Sequence, residues 1–341
     1  MLLKELSELD GAAGAEKPVR DALRQFLHLH VDESQVDKLG NLIVLKGQGL
    51  PGPKVMLAAH MDEVGLMITD IDSDGMLRFR TVGSIEPRLL VSKPVRIHSA
   101  PGTLPGVIGS KAIHVQKAAE RGKVFTQEQL YVDIGASSKD DAAKHVKLGD
   151  YAYFNTAFAP FGDGYYKGKA LDDRAGCAVL AEILRNAYDL PLYGAFTVQE
   201  EIGLRGSQVA AYQIQPDFAI VLESTRAADL VPDEGPSWIT QIGAGPALSI
   251  VDGATIYRPD LLRSVQDLAQ RQNIPLQLRR GGQGANDAGR IHVSQTGVPV
   301  ITLSIPCRYV HSPVSVIAER DYRHCIQLVD ALLKNLPLGV Q

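Results

Sequence analysis

The chain has 341 residues, about twice the ~150 residues of an average domain, so two structural units or one large unit with an insertion are expected. Hydrophobic residues make up 45% and charged residues 22% of the sequence, a globular profile that excludes a disordered or fibrous protein. The formal net charge is -4 and the basic residues form no block, so we expect neither a nucleic acid nor a membrane as a partner.

The beginning of the sequence is charged at Lys4, Glu5 and Glu8, where a secretory signal would need an unbroken apolar stretch. Every apolar run is shorter than the ~18 residues that span a bilayer. The three cysteines are scattered and odd in number, which predicts neither a disulfide framework nor a CxxC metal site. We therefore expect a protein of the reducing cytoplasm.

Between residues 16 and 64 the pattern alternates between helix and strand. The apolar residues of Val19–Leu27 recur at helical spacing, which predicts a helix with one buried face. Leu42–Leu45 and Val55–Ala59 are short apolar runs that predict strands. The second run is typical of a buried parallel strand.

From Gly65 to about Phe161 the sequence changes to short β-type runs such as Leu77–Val82. Turn-forming segments separate these runs, among them Leu104–Gly106. We interpret residues 66–161 as an inserted β domain. The polar segment Val115–Val124 within it is predicted to be a mobile loop.

After Gly162 helices and strands alternate again, as in α/β proteins. Helices are predicted over Arg174–Tyr188, Leu261–Ala269 and Cys325–Leu333, and strands over Ala195–Val198, Phe218–Leu222 and Val298–Ile305, the last of which closes the sheet. The fold class is therefore α/β, with a mainly parallel sheet formed by residues 1–65 and 162–341 and split by the inserted β domain.

Acids and histidines concentrate where the predicted strands end and where one helix begins. These positions are His60 and Asp62, the pair Asp172–Asp173, the pair Glu200–Glu201, Glu223, and His311. Because open α/β sheets place their sites at the carboxyl ends of parallel strands, we expect these side chains to converge. Such a concentration of negative charge is costly unless cations neutralise it.

Two histidines and three carboxylates suffice for two metal ions with one carboxylate bridging them. The spacing excludes a zinc finger and an HExxH helix, so the ligands come from distant segments. Each residue alone has an ordinary explanation, since Asp173 could cap a helix and Glu200–Glu201 could be a solvated pair. Their coincidence favours a hydrolytic metal centre.

Four blocks of the sequence resemble the signature blocks of the glutamyl/deblocking aminopeptidase family. They are HMDEVG at 60–65, GKALDDRAG at 168–176, QEEIGLRG at 199–206 and RYVHSP at 308–313. The resemblance runs almost from end to end and includes Leu130–Gly135. It implies a catalytic domain of the zinc-exopeptidase type, a PDZ-like or small-barrel insertion that mediates dimerisation, and dimers that assemble into tetrahedral dodecamers, with Val115–Val124 reaching a neighbouring site.

The resemblance also implies two divalent metal ions per subunit, with zinc first and cobalt or manganese as alternatives. It assigns His60 and His311 to different metals, Asp172 to the bridge, Glu201 and Glu223 to one metal each, Glu200 to the catalytic base and Asp62 to the orientation of His60. Asp173 would be structural, and the peptide bond between Asp172 and Asp173 would be cis.

Two positions depart from the family pattern. Many relatives have Asp where this chain has Glu223, which ligates with the same chemistry through a longer side chain. The GTDA block of relatives is replaced by Gly284–Ala288, which leaves the role of Asn286 open. His292 nearby is interpreted as a residue on a helix face and not as a ligand.

The expected activity is that of a metal-dependent aminopeptidase acting on peptides with a free N-terminus. A hydroxide bridging the two metals would attack the scissile carbonyl, and Glu200 would pass the proton to the leaving amine. A carboxypeptidase or an N-acyl deacylase could use the same ligands. A glycan hydrolase built on Glu200–Glu201 is disfavoured because adjacent side chains diverge. A noncatalytic assembly module is disfavoured because every ligand position holds a competent side chain.

Overall fold

A computed structural model of the protein describes residues 1–100, 102–227, 229–230, 239–279, 281 and 284–336. The helices in this part of the chain, numbered in order, are α1 Leu2–Glu8, α2 Lys17–Leu27, α3 Lys139–Ala142, α4 Leu171–Ile183, α5 Arg205–Ile214, α6 Pro259–Arg271, α7 Ala288–Ile291 and α8 Glu319–Lys334. None of them has the length and apolar character that a bilayer crossing requires.

The strands of the same residues are numbered in chain order. The first nine are β1 Glu33–Val36, β2 Leu42–Lys46, β3 Val55–His60, β4 Gly65–Ile71, β5 Leu77–Val82, β6 Pro94–Ser99, β7 Gly102–Ser110, β8 Leu130–Asp133 and β9 Tyr151–Phe154. The remaining strands are β10 Ala159–Pro160, β11 Tyr165–Gly168, β12 Leu192–Thr197, β13 Phe218–Arg226, β14 Ala247–Ser249, β15 Gln277–Arg279, β16 Val300–Arg308 and β17 Ser315–Ala318.

The larger sheet has the order β1-β2-β12-β3-β13-β16-β17-β11-β10, with β14 and β15 attached beside β16. Its central strands β12, β3, β13 and β16 are parallel, whereas the β1, β2, β17, β11 and β10 ladders are antiparallel. The sheet is therefore mixed, and the predicted parallel arrangement describes only its centre. Short connections such as that between β1 and β2 allow only antiparallel pairing.

The core lies on both faces of this sheet. Val55 and Leu57 of β3 belong to a buried cluster with α1, α2, α4, α6 and α8, whereas Met56 and Ala58 belong to a second cluster with α5 and α7. Successive residues of a strand point to opposite faces. A strand covered on both faces must be apolar throughout, which explains the continuous apolar run in β3.

Strands β4 to β9 form a separate closed barrel in the order β4-β5-β8-β7-β6-β9. All of its ladders are antiparallel. Side chains such as Leu66, Phe79 and Val132 fill its interior as a separate buried cluster. The barrel strands lie between Gly65 and Phe154, after β3 and before the chain returns to the large sheet at β10.

Three local predictions are wrong. Leu104–Gly106 is not a turn but part of β7, where Pro105 is tolerated because β8 pairs only from Val107 onward and leaves this stretch as an edge. The predicted helix ending at Tyr188 ends at Ile183, where the amide of Asn186 donates to the carbonyl oxygen of Ile183 and closes a turn. The predicted strand at Val298–Ile305 does not close the sheet, because β17, β11 and β10 extend the sheet beyond β16.

Replacing Phe196 by Ala should lower the free energy of unfolding by about 3–5 kcal/mol, because the ring is fully buried in β12. Phe161 is the matched control, since it is 50% exposed and its replacement by Ala should change stability by less than about 0.5 kcal/mol. Urea unfolding of the metal-free protein measures both values. Equal unfolding midpoints for the two variants would contradict the packing described here.

Candidate metal centre

The predicted site residues converge at the carboxyl edge of the parallel strands. His60 is the last residue of β3, Glu200 and Glu201 follow β12, and His311 follows β16. Glu223 lies inside β13 and not beyond its end, because that strand stays paired with β16 as far as Arg226. The parallel register brings these ends to one side of the sheet, as the sequence predicted.

Asp172 lies between the two histidines. Its Oδ1 atom is 3.5 Å from Nε2 of His60, and its Oδ2 atom is 3.4 Å from Nε2 of His311. Nε2 of His311 is also 3.2 Å from a carboxylate oxygen of Glu201, and Nε2 of His60 is 3.8 Å from one of Glu223. The carboxylate of Asp172 is thus shared by two clusters of nitrogen and oxygen atoms.

Two sets of candidate ligands are present among the described residues. One set is His60, Asp173 and Glu223, and the other is Asp172, Glu201 and His311; in each, the ligand atoms lie within 4.8 Å of one another. Glu200 belongs to neither set.

Asp173 belongs to the first set although the resemblance implies a structural role for it. The side chain also accepts a hydrogen bond from the amide of Gly176 at 3.0 Å, so a structural contact exists as well. A Cβ atom at residue 176 would lie 2.3 Å from the Asp173 carboxylate, which leaves room only for glycine there. The peptide bond between Asp172 and Asp173 is cis.

The electrostatics of this cluster favour cations. Burial and the neighbouring carboxylates raise the pKa values of Glu200 and Glu223 well above their usual range, although His60 opposes this. Burial acts to lower the pKa of His311, but hydrogen bonds to Asp172 and Glu201 raise it to about 11. These shifts favour the protonated form of Glu223 in the absence of metal, and a metal ion bound by this carboxylate would displace the proton.

Three carboxylate oxygens in this cluster are buried without a hydrogen-bond partner in the described part of the chain: Asp173 Oδ2, Glu201 Oε1 and Glu223 Oε1. Buried polar atoms are nearly always paired, so these oxygens are candidates for ligation. Imidazole and carboxylate are the ligands that zinc, cobalt and manganese accept. The residues present therefore fit two divalent cations.

Asp62 holds two parts of the site together. Its carboxylate accepts hydrogen bonds from the amides of Glu200 at 3.0 Å and Glu201 at 3.1 Å. Nδ1 of His60 lies 3.1 Å from the Asp62 carbonyl oxygen and 3.4 Å from its carboxylate. Asp62 thus contacts the histidine and also the loop that carries both glutamates; the second contact is one that the sequence did not predict.

Sequence reasoning also missed Asp287. This residue is buried and accepts a hydrogen bond from the Thr197 hydroxyl at 2.6 Å, while its other oxygen has no partner among the described residues. Burial raises its pKa, and it is close enough to Glu200 to raise the pKa of that residue too. Its place in the block at 284–288 was the only sequence signal.

Asn286, whose role the sequence left open, is part of a partly buried hydrogen-bond network. Its Oδ1 accepts from the amide of Ala288 at 2.9 Å, and its Nδ2 donates to Asp252 at 3.1 Å. Asn286 therefore fixes the start of α7 next to Asp287. His292 lies outside both sets of candidate ligands among the described residues, and its Nδ1 contacts the carbonyl oxygen of Ala288 at 2.8 Å.

The barrel borders the centre. A cavity beside Asp172, Glu201 and His311 is also lined by Val64 and by Phe154 of β9. A Cβ atom at Gly83, just after β5, would lie 3.3 Å from Cβ of Glu201. The pocket next to the candidate ligands is therefore formed jointly by the sheet and the barrel.

Comparison with known proteins gives concordant matches. The sequence model of the M42 glutamyl aminopeptidase family matches residues 40–328. The chain is 34% identical over 342 residues to the lysyl aminopeptidase of Pyrococcus furiosus, covering 98% of this chain and 96% of that protein.

Solved structures also superpose on nearly the whole chain. A TET aminopeptidase from a marine sediment archaeon of the Thaumarchaeota superposes with a TM-score of 0.96 at 36% identity, covering 99% of this chain and 96% of that chain. The TET1 peptidase of Pyrococcus horikoshii, which can assemble into a tetrahedron or a large octahedral shell, superposes with a TM-score of 0.87 at 33% identity over 98% of both chains.

Proposed function

This chain belongs to the M42 glutamyl aminopeptidase family and is a metal-dependent aminopeptidase, and from this premise we propose how its residues act. His60, Asp172, Glu201, Glu223 and His311 hold two divalent cations, with Asp172 as the bridge. The observation that carries this proposal is the carboxylate of Asp172, whose two oxygens lie 3.5 and 3.4 Å from the Nε2 atoms of the two histidines. We propose zinc as the metal, with cobalt or manganese as alternatives for the same ligands.

When bound, the cations supply the Lewis acidity that polarises a scissile carbonyl and lowers the pKa of water. Glu200 is the general base. It lies outside both sets of candidate ligands among the described residues, and its backbone amide is held by Asp62. A carboxylate that is not bound to the metals can take a proton from water and deliver it to the leaving amine.

The substrates are peptides with a free N-terminus. The ligands alone would also suit a carboxypeptidase or an N-acyl deacylase, and membership of an aminopeptidase family decides between these activities. A location in the cytoplasm stays a prediction.

The barrel, as part of an inserted domain spanning residues 66–161, mediates dimerisation, and the dimers assemble into a dodecamer. The self-assembly of the Pyrococcus horikoshii TET1 peptidase supports this proposal. Exposed apolar side chains on and beside the barrel, at Val107, Ile113, Val115 and Val124, support it too. Exposed apolar residues mark a surface that binds a partner when they form one contiguous patch.

Replacing Asp172 by Ala should abolish tight binding of both metals, because the bridge contributes an oxygen to each cluster. Elemental analysis of protein purified with zinc measures the metal content per subunit. Asp140→Ala, which removes an exposed carboxylate on the barrel, is the control and should keep two metals. Two tightly bound metals in Asp172→Ala would refute the bridging role.

Glu200→Gln should keep both metals and the affinity for substrate but lose about 10²–10⁴-fold in kcat, since an amide cannot carry the proton. Glu201→Gln should instead bind metal less tightly, because it removes a ligand oxygen near His311. Metal content and steady-state kinetics on aminoacyl chromogenic substrates separate these two neighbours. Near-native turnover by Glu200→Gln would show that another group is the base.

Replacing Val115 and Val124 by Asp should shift the protein from a dodecamer towards dimers or monomers, because charges then occupy an apolar contact surface. Leu29→Asp, at an 80% exposed position outside the barrel, is the control and should leave assembly unchanged. Light scattering at micromolar concentration gives the mass. A wild-type monomer with full activity would contradict the proposed assembly.

A further inference from the structure

Two of the largest fully buried side chains in the described residues are cations, Lys169 and Arg174. Each lies close along the chain to the proposed bridging ligand, Lys169 three residues before Asp172 and Arg174 two residues after it. Their main acidic partner, Glu63, follows His60 by three residues. The buried charges therefore belong to the two segments that supply the first histidine and the bridging carboxylate.

The ammonium group of Lys169 donates all of its protons to protein acceptors. It donates to Glu63 Oε1 at 2.7 Å and Oε2 at 2.9 Å and to the carbonyl oxygen of Leu9 at 2.8 Å, and it lies 3.1 Å from Asp10 Oδ1. A lysine has only three protons to donate, so none is left for water. This lysine connects the segment before Asp172 to the segment after His60 and to the N-terminal residues.

Arg174 makes a second connection between the same segments. Its Nε donates to the carbonyl oxygen of Met61 at 2.8 Å, and Met61 lies between His60 and Asp62. Its Nη2 is 3.3 Å from Glu63 Oε1, which also accepts from the amide of Gly11 at 3.0 Å. The backbone next to His60 is thus hydrogen-bonded to Arg174, a residue of the segment that carries Asp172.

A gain in stability does not account for these buried charges. A buried ion pair rarely stabilises a protein more than apolar residues of the same volume would. Its directional hydrogen bonds do fix the relative position of the segments that carry it. A metal site depends on such precision, since ligands must lie within about 0.5 Å of the productive geometry.

We propose that Lys169, through its contacts with Glu63 and Asp10, is a positioning residue that sets the separation of His60 and Asp172 and thereby the metal affinity of the centre. This inference rests on the proposed function, because it requires His60 and Asp172 to be ligands. Lys169 itself is not a ligand, because its ammonium group donates its protons to Glu63 and to the carbonyl oxygen of Leu9.

The test variant is Lys169→Met, which fills a similar volume without a charge. Each buried acid keeps a cation, because Glu63 Oε1 keeps Arg174 and Asp10 keeps two hydrogen bonds from the Arg96 guanidinium, at 2.7 and 2.8 Å. Glu63 Oε2 loses its bond to the lysine. Lys334→Met, which removes a 60% exposed lysine side chain from α8, is the matched control.

Metal affinity is measured by chelator competition with zinc and cobalt, together with the visible absorption spectrum of the cobalt-loaded protein and the urea midpoint of the metal-free protein. We expect Lys169→Met to bind metal 10–100-fold more weakly, to show an altered cobalt spectrum, and to lose kcat with KM within about twofold of wild type. The Lys334→Met control should match the wild type in each measurement.

Native metal affinity and a native cobalt spectrum in Lys169→Met would overturn the inference, whatever its stability. If metal affinity and stability both fall, the spectrum at saturating cobalt distinguishes the two explanations. An altered spectrum supports the positioning role, whereas a native spectrum shows that Lys169 only stabilises the fold. If Lys169→Met does not fold, Glu63→Gln takes its place with the same expected losses and the same overturning result. A wild-type protein that binds no metal would refute the proposed function and not this inference alone.

Discussion

The concentration of buried carboxylates at one edge of the sheet is the constraint on which the rest of the structure depends. Moving several negative charges out of water is costly, and two histidines cannot compensate for all of them. Burial and the neighbouring carboxylates raise the pKa values of Glu200 and Glu223, which favours their neutral forms in the metal-free protein. Metal ions that bind such a site displace protons, so metal affinity depends on pH. Because the metals bind the folded protein, they also raise its stability.

The sequence was informative about this centre because four strands run parallel through the middle of the sheet. Their carboxyl ends share an edge, so residues far apart in sequence, such as His60 and His311, could be predicted to meet there. The apolar runs of β3 and β13 identified those strands directly. The sequence could not show that β16 lies inside the sheet, since strand order depends on tertiary pairing and not on any local pattern.

The contacts that orient the ligands were harder to predict for the same reason. Asp62 was predicted to hold His60, a residue two positions away, but its bonds to the amides of Glu200 and Glu201 join segments 138 and 139 residues apart. Lys169 and Glu63 are separated by 106 residues, and a lone lysine in a sequence is normally exposed. Only the fold reveals that this one is buried and paired.

The proposed role of the barrel in assembly would connect assembly to the metal centre. The first barrel strand, β4, starts at Gly65, within five residues of the proposed metal ligand His60. A series of contacts also leads from the barrel to the centre. Arg96 of β6 donates two hydrogen bonds to Asp10, and Asp10 contacts Lys169. Lys169 lies three residues before Asp172. If the loss of a neighbouring subunit displaced the barrel, the displacement would be transmitted to the ligand Asp172 through the contacts of Arg96, Asp10 and Lys169. Metal affinity and oligomeric state would then be linked reciprocally, as any two equilibria that share one structural element must be.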